Sequence, residues 1–89
     1  MNVVFRESFE RDLKKLKGDA RLLGRLQKAL EQIEDADALG TLANVKRMQG
    51  WSDYYRLRIG DYRLGLKLEE ETVIVLRFLH RRDIYRRFP

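Results

Sequence analysis

Eighty-nine residues with no Cys suffice for one domain, residues 1–89, with a modest core. They exclude a disulfide framework, a cysteine–zinc site and a thiol nucleophile. No apolar run is long enough to span a membrane, and Arg6 and Glu7 come too early for a signal peptide, so a cytoplasmic chain with no membrane partner is expected. The net charge of +5 is unevenly placed: residues 1–45 carry eight basic and eight acidic side chains, residues 46–89 eleven basic and six acidic. Nine of those eleven are Arg, whose planar fork suits phosphate oxygens and stacks on bases. The second half is therefore expected to face nucleic acid or an acidic protein.

In chain order, Val3-Val4-Phe5 reads as a short strand and Ser8 as a helix cap. Phe9, Leu13 and Leu16 recur at helical spacing, predicting a helix over residues 8–17. Gly18-Asp19 breaks it, and Leu22, Leu23, Leu26, Leu30 and Ile33 mark a second helix over residues 20–35. The short break makes the two an antiparallel pair. Residues 35–44 read as a loop, Lys46-Arg47-Met48 as a short strand, and Gly50-Trp51-Ser52-Asp53 as a turn.

From Tyr54 to Leu66 apolar and polar residues alternate around Gly60-Asp61, a two-residue loop with Gly first. That turn predicts Ile59 opposite Tyr62, Leu57 opposite Leu64 and Tyr55 opposite Leu66. On the other face it sets Arg58 against Arg63 and Arg56 against Gly65. Opposed like charges cost a sheet about a few tenths of a kcal/mol. An anionic ligand is the simplest reason to keep the pair. Glu69-Glu70-Glu71 reads as a solvated turn, residues 72–79 as a central strand, and residues 83–88 as a short tail with one helical turn. If Ile74, Leu76, Phe78 and His80 pack on the helices, Arg77 and Arg81 join Arg56, Arg58 and Arg63 on one open face, together with Val73 and Val75. The order implies an α+β fold, with the N-terminal strand and helical hairpin on one side of a mostly antiparallel sheet.

A single His without Cys offers no metal cluster, and Ser8 and Ser52 sit at expected caps or turns, so neither a metal site nor a Ser–His–Asp triad is expected. No cofactor motif is present. What remains is a set of cations with one imidazole and the phenols of Tyr54 and Tyr85. Such a set can cut RNA without metal: the ribose 2′-hydroxyl attacks the adjacent phosphate, giving a 2′,3′-cyclic phosphate and a 5′-hydroxyl. Arginines neutralise the phosphate, and His80 or Tyr85 accepts the first proton. His80 also reads as a strand-end residue bonded to backbone, Tyr85 as a ring packed on the sheet, and Tyr54 as a base platform or an edge cover.

Two stretches carry a resemblance. Residues 46–64, with Lys46-Arg47-Met48-Gln49-Gly50 and Tyr55-Arg56-Leu57-Arg58-Ile59-Gly60-Asp61-Tyr62-Arg63-Leu64, resemble the centre of RelE/ParE superfamily toxins. Phe78-Leu79-His80-Arg81-Arg82-Asp83-Ile84-Tyr85 resembles their closing motif, and the element order resembles theirs throughout. The resemblance implies a type II toxin–antitoxin pair. RelE-like members cut mRNA in the ribosomal A site by the 2′-hydroxyl route; ParE-like members poison DNA gyrase. Implied partners are a cognate antitoxin in a hetero-oligomer, ribosome-bound mRNA and ribosomal RNA. By position, Arg63 would hold the phosphate, Arg81 would act at the leaving 5′-oxygen and Tyr85 would orient or deprotonate the attacking hydroxyl. Arg56 and Arg58 stand where RelE has lysines, which moves the base role to Tyr85 or His80, since arginine stays charged. Lys46, Arg47, Tyr54 and Arg77 would add RNA contacts. The spacing from Arg81 to Tyr85 is two residues shorter than in RelE. Alternative functions are gyrase inhibition without catalysis and a non-toxic member that binds RNA or antitoxin.

Overall fold

The alternation around Gly60-Asp61 forms the expected hairpin in the computed structural model, which describes residues 1–89. Strand β3 (Tyr54–Ile59) pairs antiparallel with β4 (Tyr62–Glu69) in the register the turn dictates, including Arg58 opposite Arg63 and Arg56 opposite Gly65. Gly60 has φ 59°, a left-handed value that favours glycine. Strands β1 (Asn2–Phe5), β2 (Val45–Arg47) and β5 (Thr72–His80) complete a sheet of order β1-β5-β4-β3-β2. Only the β1–β5 pair is parallel.

Helices α1 (Glu7–Lys14) and α2 (Ala20–Asp35) cover one face of the sheet. Phe9, Leu22, Leu26, Ala29 and Ile33 meet Leu57, Ile59, Leu64, Leu66, Val73, Val75 and Phe78 in the main core. Each such side chain, fully buried, contributes about 1.5–3 kcal/mol. Asp19 caps α2, its Oδ1 accepting from the Leu22 N–H at 3.1 Å. At the other end of α2 the Met1 ammonium donates to the carbonyls of Glu34 (2.7 Å) and Ala36 (3.1 Å), a cation on the negative end of the helix dipole. The N-terminus of α2 thus lies toward the β3–β4 turn and its C-terminus toward the β4–β5 turn, where the Asn2 N–H donates to the Glu71 carbonyl.

Three sequence expectations fail in β5, for one reason. The ladder to β4 steps from Gly65–Arg77 to Leu66–Val75, so Leu76 is the extra residue of a β-bulge. Side chains therefore change face partway along the strand. Val73 and Val75 pack on the helices, not on the arginine face, and are fully buried there. Phe78 joins the same core, while Leu76 packs on the opposite face. Helix α1 pins the bulge with two side chains one turn apart. Ser8 Oγ donates to the Leu76 carbonyl at 2.6 Å, so it is not the helix cap; Arg6 holds that position without a side-chain bond. Asp12, 5% exposed, accepts from Arg77 Nε (2.9 Å) and Nη2 (3.0 Å) and from the Phe78 N–H (2.9 Å). Arg77 is thereby withdrawn from the open face into a structural ion pair. The hydrogen bonds it donates to Asp12 hold its guanidinium above the ordinary arginine value.

The tail is a full helix, α3 (Arg81–Arg87), and it covers the centre of the face expected to be open. Ile84 and Phe88 bury against Met48 and Leu79, with Tyr54 and Leu76 beside them. Phe88 sits on Gly65: a Cβ there would lie 2.9 Å from two ring carbons. Absence of a side chain at Gly65 is what lets α3 reach the sheet.

Candidate nucleic-acid interface

Cross-strand pairing builds the site. Lys46 of β2 faces Arg56 of β3, and Arg58 of β3 faces Arg63 of β4. The C-terminal helix closes the side, since burial of Ile84 and Phe88 turns Tyr85 outward, 60% exposed. The Arg56 guanidinium lies 5.2 Å from the Tyr85 ring centroid, a cation–π contact that fixes both side chains. Together Ala43, Asn44, Lys46, Arg56, Arg58, Arg63 and Tyr85 line a cleft of about 400 Å³. No carboxylate lines it. The four ion pairs of the chain all lie elsewhere, at Glu7–Arg11, Asp12–Arg77, Lys67–Glu69 and Asp83–Arg86. Arg63 Nη1 donates to the carbonyls of Gly60 (3.0 Å) and Tyr62 (2.9 Å), and Arg56 Nη1 to Met48 Sδ (3.7 Å); neutral acceptors leave both charges uncompensated. Four cations without counterions in one cleft make a site for an anion with several oxygens.

The other expected site residues fall outside this cleft. His80 lies on the helix side: its ring meets Tyr62 edge-on at 5.5 Å, and Tyr62 packs in turn on Phe78. Its Nδ1 accepts from the Arg82 N–H at 3.2 Å, capping α3. The sheet separates it from the arginines, so it is a helix cap and not a base for this cleft. Arg77 is held by Asp12. Arg47 pairs with Tyr55, on the parity opposite to Lys46 and Arg56. Tyr54 shares the arginine parity, but its ring is wedged between Trp51 and Phe88, each edge-on, which makes it a wall of the second core. Arg81 opens α3, exposed, with its backbone N–H bonded to the Asp61 carbonyl at 2.7 Å; it stands beside the hairpin turn, outside the cleft lining.

Residues 3–85 match the family described as the ParE toxin of the type II toxin–antitoxin system parDE. The chain belongs to this toxin family. Toxin RelE3 of Methanocaldococcus jannaschii is similar over its whole length, 37% identical across 90 residues and all of both chains. Among solved structures, the toxin resembles a chain of the RelB–RelE antitoxin–toxin complex of Methanococcus jannaschii. The TM-score is 0.80 at 31% identity, covering 97% of this chain and 99% of that one. The Escherichia coli DinJ–YafQ complex holds a chain of the same fold, TM-score 0.75 at 16% identity, with 94% and 97% covered. The toxin is thus a RelE/ParE superfamily member with the α+β architecture its sequence implies. None of its helices is long and apolar enough to cross a membrane.

Two lining residues, Ala43 and Asn44, carry no signal of a site in the sequence. Asn44 donates through Nδ2 to the Arg58 carbonyl (2.8 Å) and accepts at its own carbonyl from the Arg58 N–H (3.0 Å). It ties the loop to β3 and, with Ala43, forms one wall of the cleft. An Asn at a loop end is a common backbone binder, but which strand it binds depends on sheet order.

Proposed function

We propose that the toxin is an endoribonuclease that cuts ribosome-bound mRNA in the A site without a metal ion, and that a cognate antitoxin silences it. The convergence of Lys46, Arg56, Arg58, Arg63 and Tyr85 in a cleft without carboxylates carries this reading. RNA brings its own nucleophile. The 2′-oxygen attacks phosphorus, the bond to the 5′-oxygen breaks, one proton leaves the 2′-hydroxyl and one reaches the 5′-oxygen. Arg58 and Arg63 sit where the extra negative charge on the phosphoryl oxygens can be met from two strands. Tyr85 and Lys46 are the lining groups able to exchange a proton, because arginine stays charged. We assign the proton acceptor to Tyr85, whose ring is already fixed under Arg56. The family resemblance assigns the leaving oxygen to Arg81, which stands beside the hairpin turn outside the cleft lining. Two solved relatives, RelE and YafQ, are found with antitoxins RelB and DinJ, which supports an antitoxin partner here.

Primer extension on mRNA in a purified translation system tests this. Cuts within A-site codons that need ribosomes and vanish in Arg63→Ala and Tyr85→Phe are expected. A toxic wild-type protein that leaves mRNA intact refutes the nuclease reading. The ParE name of the matched family favours a second reading, gyrase inhibition, whose signature is double-strand DNA breaks with mRNA untouched.

A further inference from the structure

The arginines do not stop at the cleft. Arg25, midway along α2, lies against the β3–β4 turn from the opposite side of the sheet. A Cβ built on Gly60 would stand 2.7 Å from Arg25 Nη1, 3.6 Å from Cζ and 3.8 Å from Nη2. Arg63 Nη1 binds the carbonyl of the same glycine at 3.0 Å. Two guanidinium groups from different elements thus flank one residue, and Arg58 stands opposite Arg63 on the ladder. None of the three has an acidic partner: they occur in none of the four ion pairs, and Arg25 donates no side-chain hydrogen bond. Asp61, the acid closest in sequence, uses its backbone carbonyl to hold Arg81 and makes no ion pair.

A packing role alone would be served by a neutral side chain. Accumulating uncompensated charge at a two-residue turn costs the fold and benefits a polyanion. We propose that the anion track continues from the cleft around the β3–β4 turn to Arg25, which binds a backbone phosphate of single-stranded RNA flanking the site held by Arg58 and Arg63. The proposal rests on reading the cleft as an RNA site and adds a contact beyond it, on the other side of the sheet. The cleft lies on the α3 side of the sheet and Arg25 on the α2 side, so a strand touching both must bend around the hairpin tip. Duplex nucleic acid is too stiff for that over a few nucleotides. A single strand bends readily, and its regularly spaced phosphates match cations spread along a path.

Fluorescence polarisation with 2′-O-methyl oligonucleotides separates binding from cleavage, because these lack the attacking hydroxyl. A trinucleotide is the short probe and a nonanucleotide the long one, with phosphates to spare beyond the cleft. Arg25→Gln should leave trinucleotide affinity unchanged and weaken the nonanucleotide about three- to ten-fold, lowering the slope of log K against log salt by about 0.7, one single-strand phosphate contact. Arg25→Lys, which keeps the charge, should restore that slope. Lys28→Gln makes the same charge change nearer the far end of α2 and should have no effect. Equal behaviour of Arg25→Gln and Lys28→Gln, an equal loss on both oligonucleotides, a duplex bound as tightly as the single strand, or no binding by wild type would each overturn the track. Cleavage in the translation system reports separately on the nuclease reading. Binding that depends on Arg25 without cleavage keeps the track and removes the nuclease; cleavage with no Arg25 dependence of binding does the reverse.

Discussion

Replacing Asp12 by Ala tests how β5 is held. Asp12 accepts three hydrogen bonds, two from Arg77 and one from the Phe78 N–H, and is 5% exposed. The substitution removes all three and strands two partners. The Phe78 N–H sits beside the bulge, where water has little access; an unmet buried donor costs about 1–3 kcal/mol. Breaking a fully buried ion pair costs about 3–5 kcal/mol. The Arg77 side chain is 24% exposed and can turn toward water, so the total should fall near the lower end, about 3 kcal/mol. A chain of this length has about 4–13 kcal/mol in all, at roughly 0.05–0.15 kcal/mol per residue. Asp12→Ala should therefore take away roughly a quarter to three-quarters of the stability. Urea denaturation followed by far-ultraviolet circular dichroism measures it. Asp12→Asn keeps an acceptor for the Phe78 N–H and should cost less, and the Arg77→Met double mutant closes the cycle. Raising the pH is no substitute for the mutation. The folded-state value of Arg77 lies above its unfolded one, so its contribution is complete below the unfolded value and lost only as pH rises through the folded one. A cost for Asp12→Ala under about 1 kcal/mol, the worth of an ordinary neutral hydrogen bond, would refute the claim that α1 pins the bulge.

Tyr85→Phe keeps the ring beneath Arg56 and removes the hydroxyl proposed as the proton acceptor. Cleavage should fall about 10²–10⁴-fold while affinity for a 2′-O-methyl oligonucleotide stays near wild type, as single-turnover and binding assays would show. His80→Asn preserves a cap for α3 and should leave cleavage within about three-fold, because His80 lies across the sheet from the cleft; a loss like that of Tyr85→Phe would return the base role to the imidazole. Gly65→Ala puts a methyl 2.9 Å from the Phe88 ring and should cost about 1–3 kcal/mol by overpacking. Thermal denaturation measures that cost, and Phe88→Leu in the same chain should recover part of it.

Local chemistry alone makes much of this toxin legible. The Gly60-Asp61 turn fixes the β3–β4 register, and register fixes that Arg58 meets Arg63. Leucine spacing sets the bounds of α2, and Gly18-Asp19 separates it from α1 as the sequence implies. Three of the arginines grouped by strand parity, Arg56, Arg58 and Arg63, do share a cleft. Parity fails at Arg77 because it assumes an uninterrupted strand. The residues that pin the bulge, Ser8 and Asp12, lie more than sixty positions away in sequence. Tyr54 is misplaced because nothing local shows that Phe88 will fold back beside it, whereas His80 lies on the helix side with Phe78, where strand parity put it.

The sequence by itself determined the features that depend on neighbours along the chain: a hairpin with opposed arginines, an amphipathic helix pair, and an excess of guanidinium groups in the second half. Tertiary structure decided which cations stay free. Asp12 neutralises Arg77 and nothing neutralises Arg56, Arg58 or Arg63, a difference set by α1 lying over β5 while no acidic side chain lines the cleft. It also decided that Tyr85 reaches the cleft, through Phe88 resting on Gly65, and that Arg25 meets the hairpin from the other side of the sheet. Those outcomes depend on distances through space between residues far apart in the chain, which local propensity does not encode.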